Sequence, residues 1–117
     1  MSLNVPTIIA SEKFLAASGP VSQTLYTPAR RGLFRASLYL DVSSAASAGS
    51  MACSVSWVDS SATRTVFSSL APSAGQYAVL SVTFICEAGS PIIVGAAGSP
   101  SQPLPFDFYA TIESLQE

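Results

Sequence analysis

Hydrophobic and polar positions alternate with a period of two along several segments of this chain. The clearest segment is residues 33–42, where from position 34 every second side chain is apolar and the positions between them are Arg35, Ser37, Tyr39 and Asp41. Successive side chains of a β-strand point to opposite faces of its sheet. This segment therefore predicts a strand with one buried and one solvated face.

The same alternation predicts further strands along the chain. In residues 76–87, Ala78, Leu80, Phe84 and Cys86 share one face. The remaining predicted strands are residues 51–57, 63–70, 92–94 and 106–113, with weaker candidates at 6–10 and 23–27.

Turn-forming residues separate these segments. Turns are predicted at 59–61, 71–75 and 88–91, and a loop rich in Gly, Ser and Pro at 95–105. Residues 11–20 are the one place where the pattern permits a helical turn, at 12–17, which is too short to be stable alone. About eight strands with turns between them predict an all-β fold, a jelly-roll β-sandwich, with residues 1–117 as a single domain.

The composition narrows the classes of partner. The chain is 49% hydrophobic but only 10% charged, against about 25% in ordinary soluble domains, so disorder is not expected. Either Ser, Thr and Gly keep the surface soluble or another subunit covers part of it, and we predict a homo-oligomer. The net charge of −2 and a single basic cluster, Arg30, Arg31 and Arg35, argue against nucleic acid. No apolar stretch reaches the ~20 residues of a membrane-spanning helix.

The residues needed for catalysis or for cofactor binding do not form a recognisable set. The sequence contains no histidine, the usual base for a serine or cysteine nucleophile, and Lys13 is its only lysine. The acids are Glu12, Asp41, Asp59, Glu87, Asp107, Glu113 and Glu117. They show neither calcium-loop nor zinc spacing, although a carboxylate pair stays formally open. We predict a non-enzymatic protein without cofactor or metal.

Two cysteines and one tryptophan lie on predicted apolar faces. Cys53 and Cys86 are expected to be buried free thiols, with a disulfide between neighbouring strands as the alternative. Trp57 shares its face with Val55 and Cys53, which favours a place in the core over a role in ligand binding.

The faces opposite the predicted core carry small and aromatic hydroxyl side chains. If their strands share one sheet, these residues form a surface suited to a protein interface, since tyrosine combines apolar area with a polar group. An ordinary outer sheet face is the alternative, because Thr and Tyr favour strands anyway. The predicted subunit-interface residues are Arg35, Ser37, Tyr39, Ser81, Thr83, Tyr109 and Thr111.

Several segments resemble short β-domains of tailed-phage and prophage structural proteins. They are TLYTP at 24–28, GLFRASLYL at 32–40, VSWVD at 55–59, AGSPI at 88–92 and FYATIE at 108–113. The strand that starts at Gly32 is also similar to one in C1q and tumour-necrosis-factor (TNF)-like jelly rolls, which are trimers. This chain is shorter and has fewer aromatic residues than the C1q-like pattern.

The resemblance implies a homotrimeric structural component of a phage or prophage virion, in a fibre, a head-associated position or a surface. Other virion proteins are then possible partners. The alternative is a module that recognises a glycan or a bacterial surface molecule through its loops, above all 95–105. The opening residues lack the cationic start and apolar run of a signal peptide. Beyond a virion or extracellular surface in the phage case, the sequence does not define a localisation.

Overall fold

The computed structural model describes residues 7–17, 20–42, 51–70, 76–98 and 106–116, and its regular elements there are eight β-strands. They are β1 (Thr7–Ala17), β2 (Val21–Tyr26), β3 (Gly32–Val42), β4 (Met51–Asp59), β5 (Ala62–Leu70), β6 (Gln76–Cys86), β7 (Ile92–Gly98) and β8 (Phe106–Gln116). Among the described residues, no helix is long and apolar enough to span a bilayer.

The strands form two antiparallel sheets of four. Sheet A has the order β1-β8-β3-β6, and sheet B has the order β2-β7-β4-β5. Only β4 and β5 are neighbours both in sequence and in a sheet, so the other consecutive strands cross from one sheet to the other. This arrangement confirms the predicted eight-stranded jelly-roll sandwich.

The core lies between the sheets. On β3, β4 and β8 it consists of the apolar side chains that the alternation assigned to it, whereas β6 contributes Leu80 and Val82 only as half-buried residues and β7 adds buried residues that the alternation did not assign. Phe34, Leu40, Cys53, Val94 and Ile112 are fully buried. Trp57 is also a core residue, as predicted, at 7% exposure. No described polar or charged residue is buried, so the interior between the sheets is formed by apolar contacts.

The predicted helical turn at 12–17 is wrong, because β1 extends from Thr7 to Ala17 along β8. Its register runs from Thr7 opposite Ser114 to Ala17 opposite Phe106, with shifts that accommodate irregular spacing. Phe14 stacks on Phe108 with ring centroids 6.2 Å apart. Pairing with β8 and this aromatic contact outweigh a weak local helical preference.

The predicted loop at 95–105 is also wrong at its start, because β7 continues through Gly98. β7 lies between β2 and β4, so its backbone is paired on both sides. Its small residues hide this from the sequence, since Gly and Ala carry little hydrophobic signal. A Cβ on Gly95 would lie 2.7 Å from the carbonyl oxygen of Val21, so glycine permits the close approach of β2. Residues 99–105 lie outside the described part.

Three connections meet at one end of the sandwich around Glu87. Its carboxylate accepts hydrogen bonds from the backbone N–H of Ser60 at 2.9 Å and from Arg31 Nε at 3.3 Å. Its own backbone N–H donates to Val58, also at 2.9 Å. Gly89, at φ +76°, donates to the carbonyl of Pro28. The β2–β3, β4–β5 and β6–β7 connections are thereby held together, and Arg30 and Arg31 are exposed there.

Both cysteines are buried free thiols, as expected. Cys53 lies on β4 in sheet B and Cys86 on β6 in sheet A. Burial raises the pKa of each thiol. Neither is therefore disposed to react in the folded protein.

Candidate functional site

The outer face of sheet A brings all seven predicted interface residues onto one continuous surface. This follows from the order of its strands, since β3 lies directly between β6 and β8. Ser37 is opposite Ser81 on one side and Thr111 on the other, and Tyr39 is opposite Tyr109. Arg35 is opposite Thr83 and Glu113 in the same way. The geometry on which the interface prediction depended is thus present.

Three tyrosines form an exposed cluster towards one end of this face, where β6 and β8 begin and β3 ends. Tyr39 stacks parallel to Tyr77, with ring centroids 5.7 Å apart and planes 5° apart. Tyr109 meets Tyr39 edge-on at 6.2 Å. The three side chains are 41%, 59% and 40% exposed in the order Tyr39, Tyr77, Tyr109. Val79, opposite Tyr39 on β6, is 54% exposed and extends the apolar area.

Tyr77 and Val79 were not among the predicted interface residues. They occupy the same strand face as Ser81 and Thr83, so the alternation along β6 already contained the signal. Their contact with Tyr39 could not be read from sequence, because it depends on the register of β6 against β3.

An ion pair lies on the same face, with Ser37 between it and Tyr39 along β3. Arg35 donates two hydrogen bonds to the Glu113 carboxylate, from Nε to Oε1 and from Nη2 to Oε2, each at 3.0 Å. The bidentate bond to Arg35 lowers the pKa of Glu113, and the same bond raises the pKa of Arg35. The two charges neutralise each other within one chain, so the surface can be covered without leaving an unpaired charge here.

Further charges lie elsewhere on the face, which is therefore less neutral than its hydroxyl residues suggest. Asp41 and Asp107 are directly opposite each other on β3 and β8, and Asp41 is also opposite Tyr77. The sequence left a carboxylate pair open without naming its members, and these two acids are neighbours. Neither acid lines either of the two depressions described below, and the pair carries no catalytic assignment. Lys13 on β1 is opposite Tyr109.

A shallow depression at the β1 edge completes this surface. It has a volume of about 470 Å³ and is lined by Ser11, Glu12, Lys13, Tyr109, Ala110 and Thr111. Because it lies next to Tyr109, a side chain of a second subunit could fit into this recess. Within the described residues, no group of three or more His, Cys, Asp or Glu side chains could hold a metal ion.

No protein-family model matches the sequence, and a search of curated proteins found no match. Solved structures do match the fold. Murine APRIL, a TNF-family protein, superposes with a TM-score of 0.51 at 12% identity, over 92% of this chain and 93% of APRIL. A protein of Bacillus endospore appendages, which form disulfide-linked pili, gives a TM-score of 0.50 at 14% identity, over 100% of this chain and 96% of that one.

A third match is weaker and covers part of a larger protein. It is the CBM22-1–GH10 segment of Clostridium thermocellum xylanase 10B in complex with xylohexaose, with a TM-score of 0.47 and 13% identity. It covers 81% of this chain, which spans only 19% of that one. Identities this low show the fold alone, a jelly roll of the TNF type. The resemblance to TNF-like domains is confirmed at that level, and a relationship to phage proteins finds no support in these matches.

Proposed function

We propose that this protein is a non-enzymatic structural module that assembles as a homotrimer through the outer face of sheet A. The observation that carries the proposal is the exposed cluster of Tyr39, Tyr77 and Tyr109 with Val79, set in a flat sheet face. Exposed apolar patches of this kind mark interaction sites on soluble proteins. Tyrosine is enriched in such interfaces because it supplies area and a polar group at low entropic cost.

The dimensions of the face suit a subunit contact. Strands of 11 residues are about 36 Å long, and four strands about 4.8 Å apart make a face of roughly 700 Å² before side-chain relief is counted. A specific interface buries about 800 Å² per partner. The face is therefore close to the size that one stable contact requires, and because each subunit of a cyclic trimer makes two contacts, the neighbouring edges of the sandwich must contribute as well.

The polar groups on the face are compatible with burial. Arg35 and Glu113 already satisfy each other, and the row that joins Ser11, Thr111, Ser37 and Ser81 consists of hydroxyls that can both donate and accept hydrogen bonds. Asp41 and Asp107 lie beside the tyrosine cluster near one end of the face, and we propose that this end forms the rim of the contact.

Self-association is favoured over a foreign partner by the composition. Only 10% of the residues are charged. A chain with so little charge is easier to keep soluble when part of its surface is covered permanently. The trimeric state is inferred from the likeness to TNF-type and C1q-type jelly rolls. Cys53 and Cys86 are the only cysteines and both are buried, so the proposed assembly is non-covalent, unlike the disulfide-linked Bacillus pili.

We further propose that the protein belongs to a phage or prophage virion, which rests on the sequence resemblance alone. We also propose that residues 1–117 form one domain. The alternative role, glycan recognition by a loop at 95–105, gains no support from the described residues, because 95–98 belong to β7.

The mass of the protein in solution tests the trimer. Light scattering at micromolar concentration should give three times the 12.1 kDa of one chain. Val79→Glu should dissociate the assembly, because it places an unpaired charge within the exposed apolar cluster that carries the contact.

The matched control is Thr65→Glu, which puts the same charge on an exposed strand residue of sheet B. It should leave the mass unchanged, and circular dichroism should show that both variants are folded. A monomeric wild type, or a trimer that survives Val79→Glu, would contradict the proposal.

A further inference from the structure

The outer face of sheet B carries a neutral trough that the proposed trimer does not use. Four residues lie in one row across all four strands: Ser22 is opposite Gly95, Gly95 is opposite Ser54, and Ser54 is opposite Phe67. The middle of the face is recessed, because Gly95 has no side chain and the neighbouring Ala52 and Ala97 carry only a methyl group. The depression has a volume of about 340 Å³, at the lower end of the ~300–1,000 Å³ of small-ligand sites.

An aromatic ring stands at the β5 side of the trough. Phe67 is 67% exposed, the largest exposed fraction of the large apolar side chains described. It lines the depression together with Ser54 and Ser56. An exposed phenylalanine beside a low, hydroxyl-bearing floor offers a flat apolar surface and polar groups within one ligand's reach.

The hydroxyl groups of the trough are available to a ligand. Within the described residues, the side chains of Ser22, Ser54 and Ser56 have no hydrogen-bond partner. A hydroxyl can both donate and accept, so each can pair with either kind of ligand group. All described residues that line the trough are uncharged, which disfavours phosphates, nucleic acids and acidic ligands.

We propose that this trough binds a neutral saccharide, with one sugar ring stacked on Phe67 and its hydroxyls bonded to Ser54 and Ser56. A pyranose ring has a face of C–H groups and a rim of hydroxyls, and these two features match the aromatic ring and the serine floor. A peptide fits less well. The central strands β4 and β7 are already paired on both sides, so an extended chain lying on the face would find no backbone partners.

The site does not depend on the proposed trimer. Sheet B packs on the core with its inner face, and its outer face points away from sheet A. The trough therefore stays open whether or not sheet A is covered, and the two proposals can fail separately.

Chemical-shift mapping of the full chain tests the site. The probes are linear neutral hexasaccharides of glucose, xylose, mannose and N-acetylglucosamine, with a hexamer of galacturonic acid as the charged comparison. At least one neutral probe should shift the amides of Ser22, Ser54, Phe67 and Gly95, and the charged one should not.

Two variants should weaken binding and one should not. Phe67→Ala removes the stacking ring and should raise Kd roughly tenfold or more. Ser54→Leu should have a similar effect by filling the floor. Leu15→Ala, which removes an exposed apolar side chain from β1 in sheet A, should leave Kd unchanged.

The proposal is overturned if no neutral hexasaccharide binds, if the shifts map to another surface, or if binding survives Phe67→Ala. Concentration-dependent shifts of the same amides without sugar would also overturn it, since they would identify a second copy of the chain as the occupant.

Discussion

Trp57 on β4 stacks on Phe84 on β6 across the gap between the two sheets, with ring centroids 4.3 Å apart and planes 22° apart. Phe84 also contacts Phe34 at 6.3 Å, which in turn contacts Tyr26 of sheet B at 5.9 Å. These rings join sheet A to sheet B at the end of the sandwich where Glu87 gathers three connections. The four rings form an aromatic cluster in the core.

Phe84→Ala should therefore destabilise the protein by about 3–5 kcal/mol, because it leaves a cavity under Trp57 and removes a large buried side chain. Urea unfolding at a fixed protein concentration measures the effect, since assembly links stability to concentration. Phe67→Ala is the control, as that ring is largely exposed, and it should change the free energy of unfolding by less than about 0.5 kcal/mol. Similar losses for the two variants would contradict the assignment of the core.

The Arg35–Glu113 ion pair should make stability depend on pH in a defined direction. The folded-state pKa of Glu113 lies below its ordinary value of 4.5, so the pair stabilises the protein fully above that pH. The contribution is lost as the pH falls from 4.5 through the lowered folded-state pKa. Arg35 stays charged throughout.

Glu113→Gln should accordingly be less stable than wild type at neutral pH, and the difference should shrink as the pH falls below 4.5. Thermal unfolding at pH values on both sides of 4.5 checks this. A difference between Glu113→Gln and wild type that is constant with pH would show that the pair contributes no ionic stabilisation.

Cys53 and Cys86 should react with a thiol reagent only when the protein unfolds. Both are fully buried, and burial raises the pKa of each thiol, so little reactive thiolate is accessible. The measurement is the rate of reaction with an aromatic disulfide reagent in buffer and in guanidinium. Thr65→Cys should add one fast-reacting thiol. Rapid modification of the wild-type protein in buffer would show that the core is more open than described.

The connection between β4 and β5 offers a stabilising change. Ser60 and Ser61 have φ values of 52° and 67°, which lie in the left-handed region. This backbone conformation is unfavourable by about 1–2 kcal/mol for a residue that carries a side chain. Two-residue hairpin loops of this kind favour glycine at the second position. Ser61→Gly should raise the free energy of unfolding by about 0.5–1 kcal/mol, after the greater freedom of glycine in the unfolded chain is counted.

Ser69→Gly is the matched control for that change, because it makes the same replacement within strand β5. It should destabilise the protein by about 0.5–1 kcal/mol. If both variants lose stability, the turn conformation is not the one described.

Much of the fold is predictable because alternation is a local property. Along β3, β4 and β8 the apolar side chains of the alternation are the buried ones, whereas on β6 Leu80 and Val82 are half-buried and the apolar Val79 lies exposed on the outer face. β1 and the end of β7 could not be predicted in this way. In β1 the sequence 11–17 has no regular alternation, and in β7 the residues 95–98 are too small to show one.

The candidate surfaces were predictable only in part, for a different reason. The sequence by itself determined which side chains of β3, β6 and β8 share a face. It thereby also identified the residues that could form a contact, which are Arg35 and the hydroxyl residues Ser37, Tyr39, Ser81, Thr83, Tyr109 and Thr111. Only the tertiary structure decided that these three strands are neighbours, that Tyr77 stacks on Tyr39, and that Ser22, Gly95, Ser54 and Phe67 line up across sheet B. Strand order and register arise from pairings between residues far apart in the chain, so no local pattern encodes them.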